Sequence, residues 1–264
     1  MFSLLRVEWL KIKSYRTFWI LLGLAILSIP GINYAMFSAL KNQFPKVNGK
    51  SVLGSPFAFP DAWQTICWNS ALTFIIPAIL IITLTTNEFT FKTHRQNIID
   101  GWSRRQFIAV KLTELVLLSI VCTLVVFLTV IVFGCVANKV PEGISVWQDS
   151  RFVFFYFVQM LSYSTIAFLL GLLIRRAGLA IAAFLGYLLA EQIVVWSVKS
   201  GFVDYLPEQT TDSLIPQPYL RKLLEKPEQV AAWEHHIAIY LVVALIYLLI
   251  YCVVCSRRFT TSDL

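Results

Sequence analysis

The sequence predicts an all-α membrane protein: six transmembrane helices, led by an amphipathic N-terminal helix, with one long basic connection between the second and third spans. Three observations predict it. Of 264 residues, 58% are hydrophobic and 14% are charged, whereas a soluble domain carries about 25% charged residues, so this chain lacks the polar surface needed to face water all round. Apolar runs near the length that crosses roughly 30 Å of hydrocarbon as a helix occur six times. The net charge of +7 comes from basic residues clustered in short groups beside those runs, which is a positive-inside pattern rather than a nucleic-acid-binding surface.

Residues 1 to 17, MFSLLRVEWLKIKSYRT, place Phe2, Leu5, Trp9 and Ile12 at three- or four-residue spacing with Arg6, Lys13 and Arg16 between them. That periodicity predicts a helix lying in the membrane interface, its aromatics in the headgroups and its bases toward anionic lipid. A plain topology anchor fits the same pattern. The spans follow as Phe18 to Leu40, Cys67 to Thr86, Leu112 to Val136, Phe152 to Ile174, Ala177 to Val198 and Ile237 to Cys255. Pro30 and Pro77 interrupt the first two, which neighbouring helices tolerate in a membrane. Arg175 and Arg176 alone separate the fourth span from the fifth, so those two form a tight helical hairpin.

Orientation follows from the bases. Arg6, Lys11, Lys13, Arg16, Lys92, Arg95, Arg104, Arg105, Lys111, Arg175, Arg176, Arg257 and Arg258 fall on one side, with four acids in the same segments. The other side holds nine bases spread through longer loops together with nine acids. The first side is therefore cytoplasmic, and both termini with it. No cleavable signal peptide is expected, because the first apolar run lies some 17 residues in and lacks a small-residue cleavage site.

Cys67, Cys122, Cys135, Cys252 and Cys255 are odd in number and sit within or beside apolar runs, so a disulfide framework does not fit. Cys252 and Cys255 form a C-x-x-C, but at i and i+3 they simply share a helix face. Glu234, His235 and His236 resemble a metal cluster in sequence only, since adjacent histidines point about 100° apart on a helix. The chain has no nucleotide-binding G-x-x-x-x-G-K-[ST], no G-x-S-x-G and no H-E-x-x-H, so no catalytic or cofactor site is expected in it.

Two places carry functional candidates. The connection NEFTFKTHRQNIIDGWSRRQFIAVK, residues 87 to 111, holds five bases together with Phe91, Ile98, Ile99, Phe107 and Ile108, which predicts short helices broken near Gly101 that dock on a soluble partner or merely set topology. Within the spans, Glu114 lies near the start of the third and can snorkel, whereas Glu191, beside Gln192, lies near the middle of the fifth. A carboxylate at that depth faces other helices or water, either for transport or as a hydrogen-bonded packing residue. The loop from 199 to 236, rich in proline, suggests a short surface helix over PYLRKLLEKPEQVAAWEHH.

Glu88, then THRQNIIDGWSRRQFIAVK from Thr93 to Lys111, resembles the glutamate, (G)T-x-R, Gly, Ser-Arg and Lys succession of the ABC-2 type permease family. RRAGLAIAAFLGYLLAEQIV, DYLP, LIPQP and the terminal SRRF are similar to a bacterial subgroup of it. Where that pattern has Gly before the first Thr, this chain has Lys92. The resemblance implies a single permease domain over 1–264 in the bacterial inner membrane, working as an exporter half. About 1–17 would be its interface helix, 87–111 its coupling helix and 199–236 an external cap. It further implies that Glu88, Arg95, Asp100, Gly101, Ser103, Arg104 and Arg105 meet a separate ATP-binding subunit, which holds the ATP and Mg, and that a second permease chain completes a homodimer or heterodimer. A secondary transporter or an intramembrane enzyme, working without an ATPase, is the alternative.

Overall fold

The computed structural model describes residues 2–43, 46–47, 50–51, 56–137, 145–198, 201–219 and 227–261. Ten α-helices are described: α1 (Phe2–Lys13), α2 (Arg16–Gln43), α3 (Ala62–Ala71), α4 (Ile75–Thr90), α5 (Thr93–Ile99), α6 (Arg104–Ala137), α7 (Arg151–Ile174), α8 (Ala177–Ser197), α9 (Pro207–Asp212) and α10 (Pro227–Thr261). A short antiparallel ladder pairs β1 (Lys46–Val47) with β2 (Lys50–Ser51).

Five helices, α2, α6, α7, α8 and α10, are each long and apolar enough to cross a membrane. They leave Leu24, Leu27, Leu128, Leu189, Trp196 and Leu249, among other large apolar side chains, half or more exposed. Such a surface, spread over several helices, far exceeds what a soluble monomer shows to water, and it is the surface of a multi-pass membrane protein.

The expected second span, Cys67 to Thr86, is not one helix. It is α3 and α4, bent by 44° at their junction. Around the break the backbone closes tight three-residue turns: Leu72 N donates to Asn69 O, Thr73 N to Ser70 O and Phe74 N to Ala71 O. The cause is Pro77, which has no N–H to donate to Thr73 and whose ring cannot pass that carbonyl in a continuous helix. Placed in the first turn of a new helix, it displaces no hydrogen bond. Pro30, by contrast, stays inside α2. Two further expectations shift: α6 starts at Arg104, eight residues before the span read from hydropathy, and α10 starts at Pro227. Residues 227–236 thus open the last long helix rather than forming part of a separate surface helix, and residues 220–226 of that expectation lie outside the described residues.

Helix α7 is the centre of the bundle, buried on nearly every side, with α3, α4, α6, α8 and α10 packed around it. Its Gly171 lets α4 come close: a Cβ there would stand 3.1 Å from Thr85 Cβ. Toward one end the core is built on Trp63, Phe59, Phe152 and Tyr156, and toward the other on Phe107, Phe168, Phe184 and Phe259. Helical hydroxyls find acceptors at home: Thr83, Thr85, Thr86, Thr113, Thr123 and Thr129 each donate to the carbonyl four residues back, so these hydroxyls need no partner from another helix.

Segment 201–219 does not float as an exposed loop. Leu214, Ile215, Thr210 and Thr211 are buried, Gln64 Nε2 donates to Pro216 O at 2.8 Å, and Tyr219 Oη donates to Asn69 Oδ1 at 3.0 Å. Asn69 in turn joins Asn33 and Ser70 in a buried amide and hydroxyl chain linking α2 to α3. All five cysteines are free thiols.

Candidate functional site

The connection between α4 and α6 is shorter and more ordered than its sequence suggests. Helix α4 runs on to Thr90, and the chain turns at Lys92 into α5. Asp100 then closes α5 in a Schellman arrangement, Trp102 N donating to Asn97 O and Gly101 N to Ile98 O, both at 3.0 Å. Gly101 holds φ +96 there, which side-chain-bearing residues rarely adopt. Ser103 is the N-cap of α6: Gln106 N donates to Ser103 Oγ and Ser103 N to Gln106 Oε1, a reciprocal capping box.

Beneath this connection lies a buried ionic network. Lys111 on α6, only 5% exposed, sets its Nζ 2.7 Å from Glu8 Oε2, 2.9 Å from Glu88 Oε1 and 3.3 Å from Glu114 Oε2. Thr93 Oγ1 donates to the second oxygen of Glu88 at 2.6 Å. Lys11 bridges Glu8 Oε1 and Asn97 Oδ1, at 3.0 and 2.7 Å. Asn97 also donates to Glu8. One carboxylate from α1, one from α4, an amide from α5 and a lysine from α6 thereby hold each other. Burial pushes the Glu8 carboxyl pKa up, but Lys111 and Lys11 outweigh it by charge and hydrogen bonding, and the net shift is downward. Lys111 and Glu114 also form the polar end of a cleft of about 240 Å³ walled by Trp9, Leu22, Leu84 and Leu118.

Of the residues the sequence singles out, Glu88, Lys111 and Glu114 belong to this network; of those expected to meet an ATP-binding subunit, Glu88 alone does. Arg95, Asp100, Gly101, Ser103 and Arg105 are exposed on the connection, and Arg104 is half-buried. Asp100 accepts from Gln96, four residues before it. Glu114, expected to snorkel, is part-buried and paired with Lys111. Glu8 is absent from the sequence expectation, which grouped Phe2, Leu5, Trp9 and Ile12 as the face of α1. In the structure Trp9 is 49% exposed and Glu8 faces the bundle at 1%. The available signal was Lys11, one helical turn after Glu8.

Glu191 and Gln192 lie elsewhere, in the last third of α8, deep on the far side of the bundle from α5. Glu191 Oε1 accepts from the backbone N–H of Glu208 at 2.7 Å and of Gln209 at 2.9 Å, and Oε2 accepts from Tyr187 Oη at 2.8 Å. It therefore caps the start of α9, whose own N-cap, Leu206, has no side-chain acceptor. Asp212, at the end of α9, accepts from Tyr163 Oη and Gln159 Nε2 at 2.6 and 2.7 Å. Burial first, then the neighbouring Glu191 and Asp212 charges, push the Glu208 carboxyl up to about 9. Sequence reasoning counted Glu208 and Asp212 only as loop acids. Among the described residues no group of His, Cys, Asp and Glu has the arrangement of a metal site; the Glu234 and His235 side chains lie outside them.

Lys92 explains the departure from the expected glycine. It sits at φ 54, in the left-handed region, so the position has the backbone that glycine adopts without strain. Lys92→Gly is expected to raise stability by up to about 1 kcal/mol, read as a higher Tm of the detergent-solubilised chain; a lower Tm would count against this backbone.

A family model described as a protein of unknown function (DUF2705) matches residues 50–264, a stretch that contains every member of the network except Glu8 and Lys11. Comparison with curated proteins gives no match.

Proposed function

The chain belongs to the DUF2705 family, and for this member of it we propose the role of membrane subunit of an ABC transporter, an exporter half in the bacterial inner membrane driven by ATP hydrolysis in a separate subunit. The observation that carries the reading is the Glu8–Lys111–Glu88 network. Because α5 is tied through Asn97 to α1 and through Thr93 to α4, and Lys111 ties both carboxylates to α6, force applied to the connection moves the ends of two spans together. A joint between a motor and a helical bundle needs that stiffness. The exposed side of the connection offers Phe91 and Ile99, 65% and 77% exposed, beside Arg95 and Arg105. Apolar anchors flanked by arginines are the composition of a docking surface for another protein. A second copy or a related chain then packs along the exposed apolar helices, and both termini face the cytoplasm.

Co-expression with candidate ATP-binding subunits is expected to recover one on the purified chain. Arg104→Glu with Arg105→Glu is expected to lower the ATPase rate of that complex about tenfold, the scale of 1–2 kcal/mol at a contact between partners. An unchanged rate would remove the coupling role.

One observation favours the rival reading. Glu191, Glu208 and Asp212 lie together as a buried acid cluster, in which burial and the neighbouring acids push the Glu208 carboxyl up to about 9, and buried acids of this kind mark proton-driven carriers. Vesicles containing this chain alone, with a pH gradient imposed, separate the two: uptake of protons without any ATP hydrolase would displace the ATP-driven reading.

A further inference from the structure

Two tight turns meet at the α5 end of the bundle: the α4–α5 turn at Lys92 and the α7–α8 turn at Arg175. Both residues are forced into the left-handed region, at φ 54 and φ 57. Glycine would fit either backbone without strain, yet each carries a long cationic side chain. Between them opens a cleft of about 230 Å³, lined by Phe89, Thr90, Lys92, His94, Arg95 and Arg175.

The charge in this cleft is unbalanced. Among the described residues no carboxylate lies within ion-pair distance of Lys92, Arg95 or Arg175. Of the nearest acids in sequence, Glu88 is spent on Lys111 and Thr93, and Asp100 accepts from Gln96. Arg175 rests its guanidinium 5.0 Å from the centre of the Phe89 ring, which fixes its direction without neutralising it. His94 is held in place by Nδ1, 2.8 Å from Glu88 O. A carbonyl only accepts, so Nδ1 carries the hydrogen. Three cations converging on one cleft repel one another unless an anion sits among them, and two guanidinium forks with an ammonium match the oxygens of a phosphate.

The position says which phosphate. The cleft lies at the ends of α4, α7 and α8, where apolar helix gives way to polar turn, as at the headgroup level of a bilayer. On either side of Arg175 and Arg176, Leu173 and Leu179 are 42% and 58% exposed, giving acyl chains a surface to lie along. We propose that the cleft between the α4–α5 and α7–α8 turns binds the phosphate of an anionic phospholipid through Lys92, Arg95 and Arg175. This inference does not depend on which side of the membrane the cleft faces; because Arg95 also borders the docking surface proposed above, the test reads lipid binding by the chain alone, with no ATP-binding subunit present.

The test exploits the backbone. In the variant Lys92→Gly, Arg95→Gln, Arg175→Gly, two charges leave by substitutions that relieve strain, so loss of folding does not confuse the result. The full-length chain is purified in detergent, and binding of phosphatidylglycerol, phosphatidylcholine and inorganic phosphate is followed by native mass spectrometry and by the shift in Tm. The wild-type chain is expected to prefer phosphatidylglycerol. The triple variant is expected to bind it on the order of a hundredfold more weakly, about fivefold for each interfacial base, while its lipid-free Tm holds or rises. Lys13→Gln, which removes an exposed base on α1, is expected to leave the preference intact. Retention of the preference in the triple variant overturns the proposal. Equal protection by inorganic phosphate also overturns it, because the site would then serve a free anion.

Discussion

Replacing Lys111 with methionine is expected to cost about 3–5 kcal/mol, the largest effect of any single substitution at the α1–α4–α6 junction. The size follows from what is left behind. Nζ stands within 3.3 Å of three carboxylates, and removing one partner of a buried ion pair strands the other in a poor solvent. The attraction between exposed pairs is worth about 0–1 kcal/mol, so a loss of that size would mean the network is wetter than its burial indicates. Adding Glu88→Gln to Lys111→Met is expected to recover part of the loss, since it removes one stranded charge. Chemical denaturation of the two variants and of Glu88→Gln alone completes a double-mutant cycle; additive effects would show that Lys111 and Glu88 are not coupled.

The same network sets an acid limit. The Glu8 carboxyl titrates below its ordinary value of 4.5, so the folded chain binds fewer protons there than the unfolded one. That contribution to stability is present above about pH 4.5 and is lost as pH falls through the lower folded value. With Lys111 gone, the main cause of the lowering is gone as well, and this part of the acid dependence should shrink with it.

How much of this was legible in the sequence depends on the kind of signal. Long apolar runs bounded by arginines gave α2, α6, α7, α8 and α10, because hydrophobic length is a local property. The α3–α4 break was half legible: Pro77 was visible, but whether a proline kinks, starts or merely decorates a helix depends on the packing behind it. Gly101 marked its interruption correctly because a left-handed residue leaves a local trace in residue type. Lys92 hid the same conformation because its side chain belies its backbone. The partners of Lys111 were out of reach, since Glu8 and Asn97 look like ordinary surface residues until the fold brings residue 8 beside residue 111. The exposed arginines drew attention by their number, while the pairs of Lys111 with Glu8 and Glu88 beneath them had no sequence spacing to betray them.

Glu191 shows the difference most sharply: residue type and depth left it between a transport role and a hydrogen-bonded packing residue, and the structure shows the hydrogen bonds. Each of its oxygens is occupied, one by two backbone N–H groups of α9 and the other by Tyr187. Glu191→Ala is expected to cost about 2–3 kcal/mol, because it strips the acceptor from two backbone N–H groups of α9 and from Tyr187, and a buried donor left without an acceptor costs about 1–3 kcal/mol. Glu191→Gln keeps an acceptor for the backbone donors and is expected to cost about half as much. The loss should be local before it is global. Hydrogen exchange at residues 203–212 is expected to rise at least tenfold in Glu191→Ala while α7 stays protected, because about 1.4 kcal/mol of lost cap already gives that factor. Exchange that stays at the wild-type rate in α9, together with lost transport, would return Glu191 to the pathway and leave α9 without the anchor described here.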